Sequence, residues 1–533
     1  MAYNFTGWVD GDQVFLMPPD PRDWLPAGHL AWAVREQAAA LDITPFLAAY
    51  RPDGQGRPAY HPRMMVALLV YCHAKGIRSS RAIEMATCDD VGARVICGGL
   101  HPDHSTVAGF RDRHAGPVRG LLVQSLVACA KEGLVRVDVT AGDGTKIKAS
   151  ASMAANATAE QLGLEIAELE KLAGAEVDAW IAQGRAEDQA EGALPGQDRE
   201  PGGPGTGRKR TAQVLARRKA AQAELAAEEQ ARRDRAEAER ADRIARLAAG
   251  KEHLDARYAE ELAKAGARVA GYQRRAAGKA AASPGKRPGG RPPAAPDRHR
   301  DVRRARAAAD RAAAKLEKAL ATPVPEPAQP LKINTTGPDS RVMPAKHGGF
   351  GQLYNVQALA CRGQVILAIG RHDSPVDVQA LHPLLHDGTA NLAAAGIPGP
   401  IGAALSDTGY ASSKNFTEDC KTGLYVAVTR EARQDGRSAR GRDPAAMQSW
   451  QDMAARLGTP EGKALYRQRK AIIEPVFAQL FARSGRTLHY RGDGAETELH
   501  LRAAVHNLLK AIRARARRQH QAATRTRTPA LAA

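Results

Sequence analysis

Two aspartates stand just past short apolar runs. Asp143 follows "VRVDVTAG" and precedes Gly144, and Asp407 follows "PIGAALS" and precedes Thr408-Gly409. A third acid, Glu474, lies in the amphipathic segment "RKAIIEPVFAQLFARSG". Strand ends of an α/β sheet open into one crevice, so carboxylates there can converge however far apart they lie in the chain. Converging carboxylates repel and need a compensating charge. Two divalent ions supply it, and an oxygen-rich site suits Mg²⁺. Such a pair of ions stabilises both the attacking and the leaving oxygen of phosphodiester chemistry.

On an ideal helix Arg467, Lys470, Glu474, Ala478 and Phe481 fall within roughly 40° of one line. The glutamate therefore shares its stripe with two cations, the residue types that phosphate contact needs. Pro475 has no N–H and disfavours helical geometry in the residue before it, so the helix is expected to start or kink at Glu474. Each acid also has a plainer reading: an aspartate at a strand end forms turns, and a helical glutamate beside Arg and Lys forms a surface ion pair. Asp138, Asp373 and Asp377 are rival acids. The chosen three gain weight only together, through their order on the elements and the basic residues around them.

Those elements are legible as periodicities. Val135, Val137, Val139 and Ala141 alternate with Arg136, Asp138 and Thr140, which predicts a strand ending near Gly142. After a long interruption, "GFGQLYNVQALACRGQVILAIGRH" predicts a hairpin turning at "CRG". Next come a helix in "PVDVQALHPLLHDGTANLAAAG", a strand ending on Asp407, a capped helix at "SSKNFTEDC", a strand in "GLYVAVT" and the segment bearing Glu474. The expected fold class is a mixed α/β sheet carrying a long insertion after its first strand.

The expected divisions are a helical region over 1–126, the first part of the core over 127–157, an insertion over 158–330, the rest of the core over 331–492, and a helix and basic tail over 493–533. In the first region "HLAWAVREQAAAL" and "PRMMVALLVYCHAKG" repeat apolar residues at helical spacing. Gly76 and a cap at Ser79 or Ser80 suggest a helix-turn-helix, with a plain helical bundle as the other reading. The insertion is rich in Ala, Arg and Glu, has no proline between Pro204 and Pro284, and predicts one or two long helices with a break near Gly250. Its end, "SPGKRPGGRPPAAPDRHR", reads as a linker, and its Gly290-Arg291-Pro292 resembles an AT-hook.

The chain of 533 residues carries 77 Lys and Arg against 58 Asp and Glu, a net charge of +19. That balance favours a polyanionic partner, nucleic acid first. No run of 18 apolar residues and no signal peptide is visible, so the expectation is a soluble cytoplasmic protein without membrane association. The six cysteines form no C-x-x-C pair and are expected to be reduced thiols.

"GDGTKIKASAS" around Asp143, "SDTGYASSKNF" around Asp407 and "YRQRKAIIEPVFAQLFARSGRTLHYRG" from Tyr466 to Gly492 resemble the three catalytic blocks of bacterial insertion-sequence transposases of the DDE type, in the broad IS-five and IS-eleven-eighty-two grouping. "FLMPPDPRDWLPAGHLAW", "GRPAYHPRMMVALLVYCHAKGIRSSRAIE" and "LHPDHSTVAGFRDRH" are similar to the helical domain that precedes that core. The resemblance covers roughly residues 10–156 and 331–515. It implies a ribonuclease H-like core in which Asp143, Asp407 and Glu474 are the catalytic and metal-binding carboxylates, with two Mg²⁺ or Mn²⁺ ions. The implied substrate is double-stranded DNA: the terminal inverted repeats of a mobile element, cut to free a 3′-hydroxyl, and the target DNA which that hydroxyl attacks. A homo-oligomer and association with the nucleoid go with it.

Tyr466, Arg469 and Glu474 match the family's Tyr-Arg-Glu block, whose first two members help to place DNA. Lys146, Lys148 and Lys470 become candidate phosphate holders. Arg78, Arg81 and Arg63 in the first helices are candidate DNA contacts, and the tail "RARARRQHQAATRTRT" adds salt-sensitive affinity. One departure stands out: seven residues after the glutamate the family has a lysine, and this chain has Phe481, with Arg483 or Arg486 as substitutes. A DNA-binding protein with a degenerate site, a nuclease without strand transfer, and a nucleic-acid-packaging protein are the alternatives, and a DNA clamp, a dimerisation arm and a spacer are the readings of the insertion.

Overall fold

The structure is a computed structural model that describes residues 20–50, 58–191, 206–282, 292–324, 330–345, 348–372, 374–418, 420–428 and 444–526. Helices α1 (Leu30–Ala40), α2 (Thr44–Leu47), α3 (Pro62–Ala74), α4 (Ser80–Asp89), α5 (Val91–Cys97), α6 (His104–Arg113) and α7 (Ala115–Lys131) lead into strand β1 (Val139–Lys148). The two-residue strand β2 (Asn156–Ala157), helices α8 (Ala159–Glu191), α9 (Thr206–Ala282) and α10 (Arg300–Ala321), and strand β3 (Ile333–Asn334) make up the interruption and its borders. Then follow β4 (Arg341–Pro344), β5 (Phe350–Cys361), β6 (Ile366–His372), α11 (Leu381–Ala394), β7 (Ala403–Ser406), α12 (Ser413–Thr417) and β8 (Gly423–Val426). The last helices are α13 (Pro444–Gly458), α14 (Pro460–Tyr466), α15 (Arg469–Ser484) and α16 (Asp493–Thr526).

The chain divides into two compact units, the second comprising residues 157–333. In the first unit a six-stranded sheet runs in the order β4-β5-β1-β7-β8, with β6 also on β5. β1 and β5 are antiparallel from Thr140 opposite Cys361 to Lys148 opposite Leu353. On its other edge β1 is parallel to β7, which is parallel to β8. One face of the sheet packs Ile472, Ile473, Val476 and Leu480 of α15 against Ala141, Ile147, Val356 and Leu405. The other face packs Leu381, Leu384 and Leu385 of α11 against Leu359, Leu367 and Ala404. The amino-terminal helices close their own apolar core around Val66, Leu69, Ile83 and Leu121, and Leu501, Ala504 and Leu508 of α16 complete it.

The hairpin expected at "CRG" is present, with Gln364 at φ 56°, and Ser79 is the residue that caps α4, accepting from the Ala82 N–H at 3.2 Å. Two expectations for the first unit need correction. β1 does not end near Gly142: it begins at Val139 and runs on to Lys148, because β5 offers hydrogen-bonding partners along that whole length. Asp143 is therefore inside the strand. Pro475 neither starts nor breaks α15, since the carbonyl it leaves without its helical donor, that of Ala471, accepts from the Gln364 side-chain amide at 3.1 Å.

The second unit is built from α8, α9 and α10, and the predicted break near Gly250 is absent: α9 continues through it for 77 residues. A single glycine costs a helix only about 1 kcal/mol, too little to end one of this length. α8 is joined to α9 by ion pairs from Arg218 to Glu165 and from Lys219 to Glu170, both 2.6 Å. α10 lies antiparallel to α9, with Arg268 facing His299 at 3.1 Å and Arg240 donating to the Leu320 carbonyl at 2.7 Å. The proposed AT-hook at 290–292 falls at the edge of a stretch, 283–291, that lies outside the described residues. Among the described residues no helix is long and apolar enough to cross a membrane. The six cysteines are free thiols, and burial pushes those of Cys72, Cys97 and Cys129 up to about 12.

Candidate active site

The sheet register brings two of the three acids together. Ala141 is paired in parallel with Leu405, so Asp143 and Asp407, each two residues further on, leave adjacent strands on the same side. Asp407 ends its strand and caps the turn of Thr408–Tyr410, where its Oδ1 accepts from the Gly409 N–H at 2.9 Å. Asp143 Oδ1 accepts from the Gly144 N–H at 2.8 Å, and its Oδ2 is 3.2 Å from Arg469 Nη1. Burial, reinforced by the Asp407 charge, raises the Asp143 carboxyl above its ordinary range in spite of the Arg469 guanidinium.

Arg469 opens α15 and comes from the block that also supplies Tyr466. The Tyr466 hydroxyl donates to the Ser406 carbonyl at 3.2 Å, one residue before Asp407. Burial raises its phenol as well. The turn between α14 and α15 thus sits directly over the paired strand ends.

A third acid joins this pair, and it is Asp377 from the rivals. Its Oδ1 accepts from the side-chain amides of Asn355 at 2.8 Å and Gln357 at 2.7 Å, with Lys146 Nζ at 3.8 Å. A Cβ on Gly409 would stand 3.0 Å from Asp407 Oδ1 and 3.3 Å from Asp377 Oδ2, so the two carboxylates border the same glycine. Gly144 borders the same layer: a Cβ there would lie 2.5 Å from Gln357 Nε2 and 2.8 Å from Asp377 Oδ1, so those side chains would have to shift. Behind them the buried Tyr410 donates its hydroxyl to Gln357 Oε1. The sequence carried a signal for this layer, in that Asn355 and Gln357 interrupt an apolar strand at a spacing of two, but their roles depend on β1 lying opposite. Of the other rivals, Asp138 is paired with Arg362 at 2.6 Å, and Asp373 lies outside the described residues.

Glu474 is exposed on α15 and has no hydrogen-bond or ion-pair partner among the described residues. The stripe it shares with Lys470 and Ala478 is the solvent face of the helix. Phe481, on the same stripe, stacks on Phe477 with ring centroids 5.9 Å apart, and the Arg486 guanidinium lies 4.2 Å above its ring. No group of three or more His, Cys, Asp and Glu side chains placed to hold a metal ion occurs among the described residues. By donor type the Asp143 and Asp407 pair fits a hard divalent cation: all-oxygen, partly buried and mutually repelling.

The cationic candidates divide into two kinds. Lys148, Lys470, Arg486 and Arg81 are exposed. Lys146 instead donates to the Pro375 carbonyl at 2.7 Å, and burial lowers its ammonium despite the nearby Asp377. Arg78 donates to the carbonyls of Ser484 and, at 3.4 Å, Thr487, which ties the turn before α4 to the end of α15. Arg63 caps α1 by donating to the Ala38 carbonyl at 2.7 Å and the Leu41 carbonyl at 3.3 Å.

Comparison with known families accounts for both ends of the chain. Residues 19–113 match the model of a transposase domain (DUF772), and residues 406–512 match that of a transposase DDE domain. No curated protein and no solved structure matches. The second match begins one residue before Asp407 and includes Tyr466, Arg469 and Glu474, and DDE domains depend on divalent metal ions. A transposase domain in the amino-terminal helices followed by a transposase DDE domain over the late strands and helices supports an insertion-sequence transposase of the DDE type.

Proposed function

We propose that this transposase binds the terminal inverted repeats of its own element and that Asp143, Asp407 and Glu474 are its catalytic carboxylates, holding two Mg²⁺ or Mn²⁺ ions. The observation that carries the reading is the parallel register of β1 and β7, which sets Asp143 beside Asp407. A ribonuclease H-like description of the core is supported by the antiparallel β6-β5-β1 strands continued by parallel β7 and β8. When bound, the ions activate a water and stabilise the leaving oxygen of the cut phosphodiester. The freed 3′-hydroxyl then attacks target DNA.

The chain's own groups prepare that chemistry. Arg469 holds one oxygen of Asp143 and so fixes the carboxylate's rotamer, while Tyr466 anchors the turn carrying Arg469 to the β7 end. Glu474, without a partner on the solvent face of α15, is assigned as the third carboxylate by its place five residues after Arg469 in the Tyr466–Arg469–Glu474 block. Lys148, Lys470 and Arg486 are exposed cations suited to phosphates, Arg486 standing in over Phe481 for the family's lysine. Arg81 in α4 suits end recognition by the helices of 1–126. Lys146 and Arg78 act through positioning, the first on Asp377 and the second on α15. A homo-oligomer holding both element ends, at work on the nucleoid in the cytoplasm, completes the reading.

The test is cleavage of a duplex bearing the short inverted repeats that flank the gene, in Mg²⁺ or Mn²⁺, against a duplex with those repeats scrambled. Cuts at the repeat boundary with a free 3′-hydroxyl, absent from the scrambled duplex, are expected. Equal nicking of both duplexes, without joining to a target, favours the nuclease alternative.

A further inference from the structure

α10 buries Val302, Ala305 and Ala309 on one side. At 100° per residue Arg300, Arg304, Arg311, Lys315 and Lys318 fall within about 60° of one another on the opposite side. All five are exposed, and none of their side chains has a hydrogen-bond or ion-pair partner among the described residues. The acids of the same helix, Asp301, Asp310 and Glu317, stand about 75° or more from the centre of this stripe. α9 does carry ion pairs within the helix, Arg246 with Asp242, Lys251 with Asp255 and Lys264 with Glu260.

Unpaired like charges in one row repel, and a solvated helix gains nothing from that arrangement unless a polyanion neutralises it. The row runs over 18 residue steps, about 27 Å, which matches roughly eight base-pair steps of B-DNA at 3.4 Å each. At its far end it opens on a groove between α9 and α10, where Lys315 and Lys318 are joined by Arg243 and Arg246 against Glu239 and Asp242. Arg246 is paired with Asp242 at 2.8 Å, and the exposed Arg243, without a side-chain partner among the described residues, is the cation that extends the positive line onto the second helix.

We propose that this face of α10 is a DNA-binding surface of the insertion, holding the sugar–phosphate backbone of duplex DNA without reading its sequence. The proposal rests on the reading that duplex DNA is the substrate. Arg and Lys are the side chains that hold phosphates, and they position a protein on DNA independently of sequence. Each phosphate neutralised releases counterions, which leaves a signature in the salt dependence of binding.

Fluorescence anisotropy of the full chain with a labelled 30-base-pair duplex of arbitrary sequence, over a series of salt concentrations, tests this. The variant R304Q/R311Q/K315Q/K318Q is expected to raise Kd at least tenfold at fixed salt. It should also flatten the slope of log K against log salt by about 0.9 for every phosphate no longer neutralised, about two to four in all. R304K/R311K keeps the charge and should stay within about threefold of the parent. Far-ultraviolet circular dichroism should show the same helix content in all three. An unchanged Kd and slope in the quadruple variant, or an equal loss in the charge-keeping variant, overturns the assignment. Tight binding of polyglutamate in place of DNA overturns it in favour of an acidic protein partner. If the parent chain binds no duplex at any salt, the DNA reading of the whole chain fails, not this surface alone.

Discussion

At the residue scale, the site is a balance of charge around two carboxylates. Asp143 is partly buried, feels Asp407 across one strand spacing, and is offset by a single guanidinium. Arg469→Ala is therefore expected to raise the Asp143 carboxyl further and to weaken Mn²⁺ binding at mildly acidic pH more than at pH 8, read by calorimetry at both pH values. Equal loss at both would mean that Arg469 does not act through Asp143. Phe481 belongs to this scale too. Its stack with Phe477 and the Arg486 guanidinium over its ring together contribute about 1–2 kcal/mol. Arg486→Ala should weaken binding to end DNA several-fold and lower the salt slope by about one. No change in either would leave the missing lysine without a replacement.

At the element scale, the hairpin turn between β5 and β6 holds α15 in place. Gln364 takes the carbonyl that Pro475 leaves free, accepts from Gln479 at 3.1 Å and Lys510 at 3.0 Å, and presents its own carbonyl to His506 at 2.9 Å. Gln364→Gly keeps the positive φ without strain but removes the amide, and should cost about 1–3 kcal/mol in urea unfolding through the groups left unpaired. A variant as stable as the parent would show that Pro475 needs no such partner. Arg78→Ala should behave like a packing change, lowering stability by about 1–3 kcal/mol through its bonds to Ser484 and Thr487. Loss of DNA affinity at unchanged stability would instead make Arg78 a direct DNA ligand.

These elements also mark what a sequence can tell. The hairpin at Cys361–Gly363, the short strand before Asp407 and the Ser412 cap of α12 were readable, because period and turn chemistry are local. The extent of β1 was not: Asp143-Gly144-Thr145-Lys146 looks like a turn until β5 pairs with it. The continuity of α9 through Gly250 and the Gln364 rescue of Pro475 are settled likewise by partners distant in sequence. The same holds for Asp377, whose place beside Asp407 depends on amides from a facing strand, and for Arg63 and Arg78, which look like surface cations until their carbonyl acceptors are in view.

At the scale of the whole molecule, α16 ties the helical and sheet cores of the first unit together, and it does so with buried polar groups. His506 on α16 and His73 on α3 are kept neutral by burial, which pushes them down to about 3 and about 4. Both lie below the unfolded value near 6.5, so between these limits the unfolded chain binds more protons than the folded one. Stability is then complete above about pH 6.5 and falls as pH drops toward 4, by about 1.4 kcal/mol per pH unit for each histidine. Urea midpoints of the first unit at pH 7.5 and 5 check this, and a flat profile would contradict it.

The central claim is that the carboxylates aligned by β1 and β7 do the cutting. The most direct measurement is Mg²⁺-dependent cleavage of inverted-repeat DNA by Asp143→Asn and Asp407→Asn, with DNA binding and unfolding followed on the same preparations. The account predicts a loss of cleavage by roughly a thousandfold or more in each variant, with folding intact and DNA still bound. Cleavage at the parent's rate in either variant would contradict it.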